Sequence, residues 1–231
     1  MGGFLAWGDE RPGADLTCRV CGRTAPAAHV ATVTPPWRGP FEVRRCASCR
    51  SLDLLDDPIE SSSTDRHVDD YVEGGAGIGT IAEAIDQVDP ARVRRFLDVG
   101  CNYGFGLDLA RFTHGWEVVG VEPSIAGRRG AAELDLDIRS VHLDEGTDLG
   151  EPFDLVLASE VIEHVLDPVA FARTLAAQLA PGGRLLLTTP AAEHVVPSSD
   201  ETEVVVALSP GLHVFLASAD GLEHLLHRAG F

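Results

Sequence analysis

From Ile78 onward, short apolar runs alternate with segments of helical pattern, and this alternation limits the possible folds more than any other feature. The pattern predicts strands at residues 95–99, 117–121, 137–139, 153–157 and 184–188. It predicts helices at residues 81–88, 107–112, 125–134, 168–179 and 219–228. Strands that are almost continuously apolar and are separated by helices are typical of parallel sheets with helices on both faces. We therefore expect an α/β fold built on a mostly parallel sheet.

Ligands bind to such sheets beyond the carboxyl ends of the strands, so the loops that follow the strands are the candidate binding segments. In the first loop, Gly100 and Gly104 allow a tight turn, and Asn102 tolerates a left-handed backbone. Glu122 ends the second strand, where a carboxylate can accept two hydrogen bonds from a ribose diol. Taken singly, these features also fit a tight structural turn and a solvated surface acid. Together they favour a nucleotide-like ligand, while the lack of a G-x-G-x-x-G spacing argues against a nicotinamide dehydrogenase.

Five segments, including the two loops just described, together resemble the motifs of a known family. They are DVGCNYG at 98–104, GVEP at 120–123, FDLV at 153–156, EVIEH at 160–164 and PGG at 181–183. In order and spacing, this set resembles class I S-adenosylmethionine-dependent methyltransferases, from about Ile78 to Phe231. The resemblance implies a Rossmann-like sheet and S-adenosylmethionine as the cofactor. The family commonly has Gly where this sequence has Asn102, but Asn can adopt the same backbone conformation.

The resemblance also implies which residues bind the cofactor. Asp98 and Gly100 are expected near the methionine moiety, Glu122 at the ribose hydroxyls, and Ser159 beside the reactive end. Leu143 and Asp144 are expected on the adenine side. The complete set of predicted cofactor contacts is Asp98, Gly100, Asn102, Gly104, Glu122, Pro123, Leu143, Asp144 and Ser159.

Methyl transfer needs a general base when the acceptor is a hydroxyl or an acidic carbon, and His is the usual choice. His164 is the first candidate because it follows the fourth predicted strand. His194 and His213 follow the fifth, where acceptor contacts often arise. A hydrogen-bonded structural role for His164 is the alternative.

The family's sheet normally has a sixth strand and an antiparallel seventh strand after the last predicted helix, but this sequence ends at Phe231. We therefore expect a five-stranded core without those C-terminal strands, with the fourth or fifth strand at or near an edge. An unpaired apolar strand invites pairing, so a second copy of the chain, further C-terminal sequence or the β-prone segment 203–208 is expected to cover it. That segment fits an acceptor-site lid equally well.

Two C-x-x-C pairs near the N-terminus predict a metal centre. Cys18, Cys21, Cys46 and Cys49 supply the four thiolates that a tetrahedral zinc ion binds. A redox dithiol would need one pair only, and without a signal peptide a metal site is favoured over disulfides. This zone resembles the zinc ribbons ahead of some natural-product and sugar methyltransferases, although Arg50 replaces the usual Gly. The zinc is expected to be structural or to contact the acceptor.

Charge and hydropathy exclude two classes of binding partner, nucleic acids and membranes. The net charge of −18 argues against a nucleic-acid surface, which needs a basic field. No apolar run reaches the length of a membrane span, and the first residues lack the pattern of a secretory signal. We expect a cytoplasmic protein that binds no membrane.

The sequence therefore predicts a zinc ribbon at 1–55, a polar connector at 56–78 and a cofactor-binding domain at 79–231. The expected function is methyl transfer from S-adenosylmethionine to a small-molecule acceptor, such as a sugar or natural-product intermediate. The alternative is a non-catalytic cofactor-binding or assembly module with the same fold.

Overall fold

The structure is a computed structural model that describes residues 4–35, 39–54, 58, 65–75 and 77–231, without the side chains of 65–67. The strands are β1 (Leu5–Trp7), β2 (Pro12–Thr17), β3 (Thr24–Val33), β4 (Phe41–Cys46), β5 (Leu52–Asp53), β6 (Arg95–Val99), β7 (Glu117–Val121), β8 (Ile138–Arg139), β9 (Phe153–Ser159), β10 (Leu179–Thr188) and β11 (Phe215–Leu216). The helices are α1 (Asp65–Gly74), α2 (Ile78–Ile85), α3 (Phe105–His114), α4 (Ile125–Leu134), α5 (Pro168–Ala177), α6 (Glu201–Leu208) and α7 (Ala219–Ala229). Among the described residues, no helix is long and apolar enough to cross a membrane.

The backbone divides into two compact units. The first comprises residues 1–60, 162–173 and 189–231, and the second comprises residues 61–161 and 174–188. The domain boundaries at 1–55, 56–78 and 79–231 stay a prediction; in the backbone, residues 162–173 and 189–231 group with the N-terminal residues. A cause lies in β11, which pairs with β5 in antiparallel register, so that Leu216 lies opposite Leu52. Both leucines are almost completely buried, and this burial ties the C-terminal segment to the N-terminal sheet.

The second unit contains the predicted parallel sheet. Its strand order is β10-β9-β6-β7-β8, and every pair is parallel. The strand β6 is buried at all five positions because helices cover both faces of such a sheet. Phe96, Leu107, Leu155 and Leu157 form the centre of its core. The predicted α/β fold with a five-stranded parallel sheet is confirmed.

Strand β10 forms the edge of this sheet at which the family's C-terminal strands were predicted to be absent, and the structure agrees with that prediction in part. In the described part of the chain, β10 is the last strand on its side, and neither a sixth nor a seventh strand joins it. The prediction that residues 203–208 are β-prone is wrong, because they belong to helix α6. Asp200 starts this helix, since its carboxylate accepts hydrogen bonds from the backbone N–H groups of Thr202 and Glu203. Coverage of the edge by a second copy or by further sequence stays a prediction.

The first unit contains a six-stranded antiparallel sheet. Its order is β1-β3-β4-β5-β11, with β2 also paired to β3. The β3–β4 pair places Cys46 opposite Ala27, and the β4–β5 pair places Leu52 opposite Arg45. Cys46 ends β4, and Cys18, Cys21 and Cys49 lie in the connections between the strands, as the prediction of a ribbon required.

The connector predicted at 56–78 contains helix α1, which the polar composition had hidden. Residues 55–57, 59–64 and 76 of this stretch and its margin lie outside the described residues. Val68 of α1 packs in a small apolar cluster with Tyr103 and Ala126, and Tyr71 and Val72 border that cluster. One apolar face therefore makes α1 part of the unit that contains the parallel sheet.

Candidate functional site

The loop after β6 has the backbone that its sequence predicted. Gly100, Asn102 and Gly104 all have positive φ, at 76°, 50° and 89°. A Cβ on Gly100 would lie 2.4 Å from Val161 Cγ2, so a side chain cannot be added there without displacing Val161. The left-handed Asn102 shows that Asn takes the conformation for which the family commonly uses Gly. The chain therefore turns tightly at the carboxyl end of β6.

Glu122 joins this loop to the one after β7. Its Oε2 accepts a hydrogen bond of 3.2 Å from the Asn102 backbone N–H, and its Oε1 accepts one of 2.9 Å from the Ser124 N–H. Each carboxylate oxygen has a second lone pair. Glu122 is thus held in one orientation and can still accept hydrogen bonds from a diol.

Asp98 lies at the end of β6 and is 2% exposed. Burial, with the neighbouring charge of Glu122 as the second cause, raises the pKa of Asp98 from 3.8 to about 7. Among the described residues, neither Asp98 Oδ2 nor Asn102 Oδ1 has a hydrogen-bond partner, although both atoms are buried. Buried polar atoms are normally satisfied. Two orphaned acceptors beside the Glu122 carboxylate fit the ammonium and hydroxyl donors of a nucleoside-linked amino acid such as S-adenosylmethionine.

Tyr71 also faces these carboxylates, and the sequence analysis missed it. Its ring stacks on Phe105 with 6.0 Å between centroids. Burial raises the pKa of Tyr71, and the charges of Asp98, Cys101 and Glu122 raise it further. The signal was available in the sequence, because Val68, Tyr71 and Val72 have the spacing of one helix face.

Three of the other predicted cofactor residues, Pro123, Asp144 and Ser159, make hydrogen bonds to nearby groups. The Pro123 carbonyl accepts a 3.0 Å hydrogen bond from Arg128. Asp144 is exposed and accepts from the Thr147 hydroxyl and the Gly146 N–H, which together lower its pKa. Leu143, beside it, is partly buried. The Ser159 and Thr188 hydroxyls are 2.8 Å apart. The roles of these four residues in cofactor binding stay predictions.

The predicted catalytic histidines fall in two places within the first unit. His164 ends a short 3₁₀ turn, and its ring lies 4.7 Å from that of His213. Burial lowers the pKa of both imidazoles, and His164 lowers that of His213 further, to about 4. The fully buried Glu163 belongs to the same cluster. His194 ends another 3₁₀ turn and is exposed, and it is not a member of this cluster.

The structure brings Cys18, Cys21, Cys46 and Cys49 together, with all four Sγ atoms within 4.8 Å of one another. All are free thiols. The Cys18–Cys49 and Cys21–Cys46 Sγ distances are 3.7 and 3.8 Å. Four thiolates at about 2.3 Å from one zinc ion form a tetrahedron with edges of about 3.8 Å. The residues present therefore fit a tetrahedral zinc ion.

A hydrogen bond from Cys18 stabilises the Cys49 thiolate in this cluster. It lowers the pKa of Cys49, and sharing that proton raises the pKa of Cys18. A thiolate at neutral pH is the form that binds zinc.

Comparison with known proteins agrees with this geometry. The family model described as "Methyltransferase domain" matches residues 72–231. A ubiquinone biosynthesis O-methyltransferase of Bradyrhizobium sp. (strain ORS 278) is 45% identical over 102 residues, which are 41% of this chain and 39% of that protein. The chain thus spans about two fifths of the length of the curated relatives it matches.

Solved structures share the fold at low identity. The structure of PigF with SAH (S-adenosylhomocysteine) has a TM-score of 0.61 at 18% identity, covering 75% of this chain and 57% of that one. An O-methyltransferase family protein from Burkholderia thailandensis has a TM-score of 0.58 at 18% identity, covering 71% and 54%. These likenesses show the fold.

Proposed function

We propose that this chain, which belongs to the methyltransferase domain family, transfers a methyl group from S-adenosylmethionine to a hydroxyl group of a small molecule. The proposal rests mainly on the arrangement of Asp98, Asn102 and Glu122 at the carboxyl ends of β6 and β7. Two of the three residues have buried oxygens without a partner in the described structure, and the third has a fixed carboxylate with free lone pairs.

In this proposal each of the three residues has a defined task. Glu122 accepts hydrogen bonds from the ribose hydroxyls, and its two backbone donors keep it in place. The positive charge of the methionine ammonium favours the ionised form of Asp98, whose proton is released to solvent, because it replaces the lost solvation of the carboxylate. Asn102 Oδ1 accepts a further hydrogen bond from a donor group of the cofactor. S-adenosylmethionine supplies the activated methyl group, so the protein has chiefly to bind and align the reactants.

A small hydroxyl compound is the acceptor that the comparisons favour. The curated relatives are named for O-methylation in ubiquinone biosynthesis. The net charge of −18 disfavours nucleic acids. His164 and His194 remain the proposed general bases. The lowered pKa leaves His164 neutral near pH 7, the state in which it can accept a proton.

The four cysteines have a structural role in this proposal. A zinc ion bound by Cys18, Cys21, Cys46 and Cys49 would link the turn before β3 to the end of β4. Small metal-bound modules obtain much of their folding free energy from such an ion.

The test has two stages. Calorimetry with S-adenosylhomocysteine and with NAD, on the full chain, should show binding of the first compound only. Turnover is then measured with radiolabelled S-adenosylmethionine and a panel of phenols, sugars and polyketide alcohols. Transfer of label to any of them supports the proposal, whereas NAD binding contradicts it. Tight binding of S-adenosylhomocysteine without transfer to any acceptor would favour the non-catalytic module.

A further inference from the structure

We infer that Glu163, His164 and His213 form a second metal site, which binds a divalent first-row transition-metal ion through one carboxylate oxygen and two imidazole nitrogens. Each residue offers one ligand atom, and these atoms lie within 4.8 Å of one another. All three residues belong to the first unit, and none is a member of the cysteine cluster.

Hydrogen bonds to backbone carbonyls set the tautomer of both imidazoles. His213 Nδ1 lies 2.7 Å from the Ala207 carbonyl oxygen, and His164 Nδ1 lies 3.3 Å from that of Leu212. A carbonyl oxygen can only accept, so each Nδ1 carries the proton and donates it. In a neutral ring the Nε2 lone pair is then free. Metal-binding histidines are held in this way, with the second ring nitrogen donating to a carbonyl or carboxylate.

The carboxylate of Glu163 is oriented in the same manner. The Thr189 hydroxyl donates a 3.0 Å hydrogen bond to Oε2, and Oε1 lies 3.9 Å from His213 Nε2. That separation is too long for a hydrogen bond. Two ligands that each lie about 2.1 Å from one ion can be up to about 4.2 Å apart. Glu163 and His213 are therefore already within reach of a shared ion, and the ligand atom of His164 lies within 4.8 Å of theirs.

The ligand types indicate the class of metal and its use. Two imidazoles and one carboxylate suit zinc, iron, cobalt or manganese in the divalent state. Three protein ligands leave coordination positions open, which is typical of catalytic rather than structural sites. An ion there would lower the pKa of a coordinated water or hydroxyl group. A His164 ring that binds this ion is not available as a general base, so this inference goes beyond the proposed function and leaves His194 as the candidate for that role.

Cobalt(II) is a suitable probe because its visible spectrum reports its ligands. The full chain, with zinc in the cysteine centre, is titrated with Co²⁺ and followed by calorimetry and absorption. We expect one further ion per chain, without the intense thiolate-to-cobalt charge-transfer band. His164→Ala should weaken binding at least about tenfold, and it should fold because His164 is exposed. Glu163→Gln should do the same, whereas the control His224→Ala, at an exposed position of α7, should bind like the wild type.

The outcomes separate this inference from the proposed function. Unchanged Co²⁺ binding by His164→Ala, a spectrum with thiolate bands only, or no binding at all would each overturn the second metal site. S-adenosylhomocysteine binding is measured on the same samples. If it is retained while Co²⁺ fails to bind, only the metal site is lost. If Co²⁺ binds as expected but S-adenosylhomocysteine does not, the proposed function is wrong and the metal site stands.

Discussion

The parallel sheet and the antiparallel sheet of this chain are stabilised in different ways. All five residues of β6 in the parallel sheet are buried. Phe96 of this strand and Leu155 and Leu157 of the neighbouring β9 are completely inaccessible to solvent. Each sheet also has a strand without a buried residue, which is β10 in the parallel sheet and β2 in the antiparallel sheet. Antiparallel sheets can leave one face to water, but parallel sheets need cover on both. Burial of apolar surface nevertheless stabilises both sheets, because Val30, Val33 and Leu216 of the antiparallel sheet are also almost completely buried.

The antiparallel sheet differs in having side-chain links between distant parts of the chain. The cysteine cluster joins residues 18–21 to residues 46–49. The Ser218 N–H donates to Ser51 Oγ, and Arg45 donates a 2.9 Å hydrogen bond to the Val195 carbonyl. Such links act in addition to the apolar residues that this sheet buries. The lesson is that loss of one link should have a large effect in this sheet, whereas the parallel sheet should respond to changes in packing.

Removal of the metal should have the largest effect and tests the comparison most directly. Cys46→Ser, or a strong chelator, should abolish hydrogen-exchange protection in β3 and β4, because the ion contributes on the order of 10 kcal/mol to such modules. The parallel sheet has its own core, so S-adenosylhomocysteine affinity should stay within about twofold. Exchange mass spectrometry and calorimetry measure the two effects.

Re-addition of zinc to the chelated wild-type protein is the control, and it should restore protection. Elemental analysis should find zinc in the untreated protein and less in Cys46→Ser. Two results would contradict a metal-dependent antiparallel sheet. One is a metal-free protein that keeps its hydrogen-exchange protection in β3 and β4, and the other is a disulfide between Cys18 and Cys21.

A packing change should destabilise the parallel region. A Cβ added at Gly130 of α4 would lie 1.9 Å from the Tyr103 carbonyl oxygen, which cannot move independently of the backbone. Gly130→Ala should therefore lower the free energy of unfolding by about 1–3 kcal/mol. Denaturant titration measures it. The matched control is Gly79→Ala in α2, where nothing lies within 4 Å of the new Cβ and we expect a gain of about 0.5–1 kcal/mol. Equal effects at both sites would show that packing against Tyr103 is unimportant.

Loss of the Glu122 carboxylate should weaken cofactor binding without unfolding either sheet. Glu122→Ala removes two charge-assisted hydrogen bonds, each on the order of 1.5–3 kcal/mol. S-adenosylhomocysteine affinity should fall at least about tenfold in calorimetry, with the circular dichroism spectrum unchanged. Glu83→Ala, at an exposed position of α2, is the control and should bind normally. Unchanged affinity in Glu122→Ala would remove this residue from the site.

The smallest expected effect is a pH dependence centred on Asp98. Because its pKa is raised from 3.8 to about 7 in the fold, the folded state holds a proton that the unfolded state has lost. The Asp98 contribution to the free energy of unfolding should therefore fall as pH rises from about 4 to about 7. If the bound ligand needs the carboxylate ionised, S-adenosylhomocysteine affinity should rise several-fold between pH 6 and pH 8. Asp98→Asn should remove both dependences, and a slope that survives in this variant would assign them to another group.

Local signals in the sequence determined the parallel sheet and its two ligand-facing loops. The predicted boundaries of β6, β7 and α4 agree with the structure. Asn102 has the left-handed backbone that its place in the turn required. Strands with continuous apolar runs are identifiable without knowledge of their partners, and the turns between them depend on few residues. The position of Glu122 beside Asp98 then follows from strand order alone.

Contacts between distant residues decided the remainder. Two-residue strands such as β5 and β11 have no pattern of their own, and they exist because Leu52 pairs with Leu216. The grouping of Glu163 with His213 likewise could not be predicted from a local pattern, because the two residues are 50 positions apart. His164, in contrast, was identified from its motif alone. The sequence thus determined which chemical groups are present and where the parallel strands end. Only the tertiary structure decided which groups meet, because such contacts depend on the closure of long loops and on burial that no local pattern encodes.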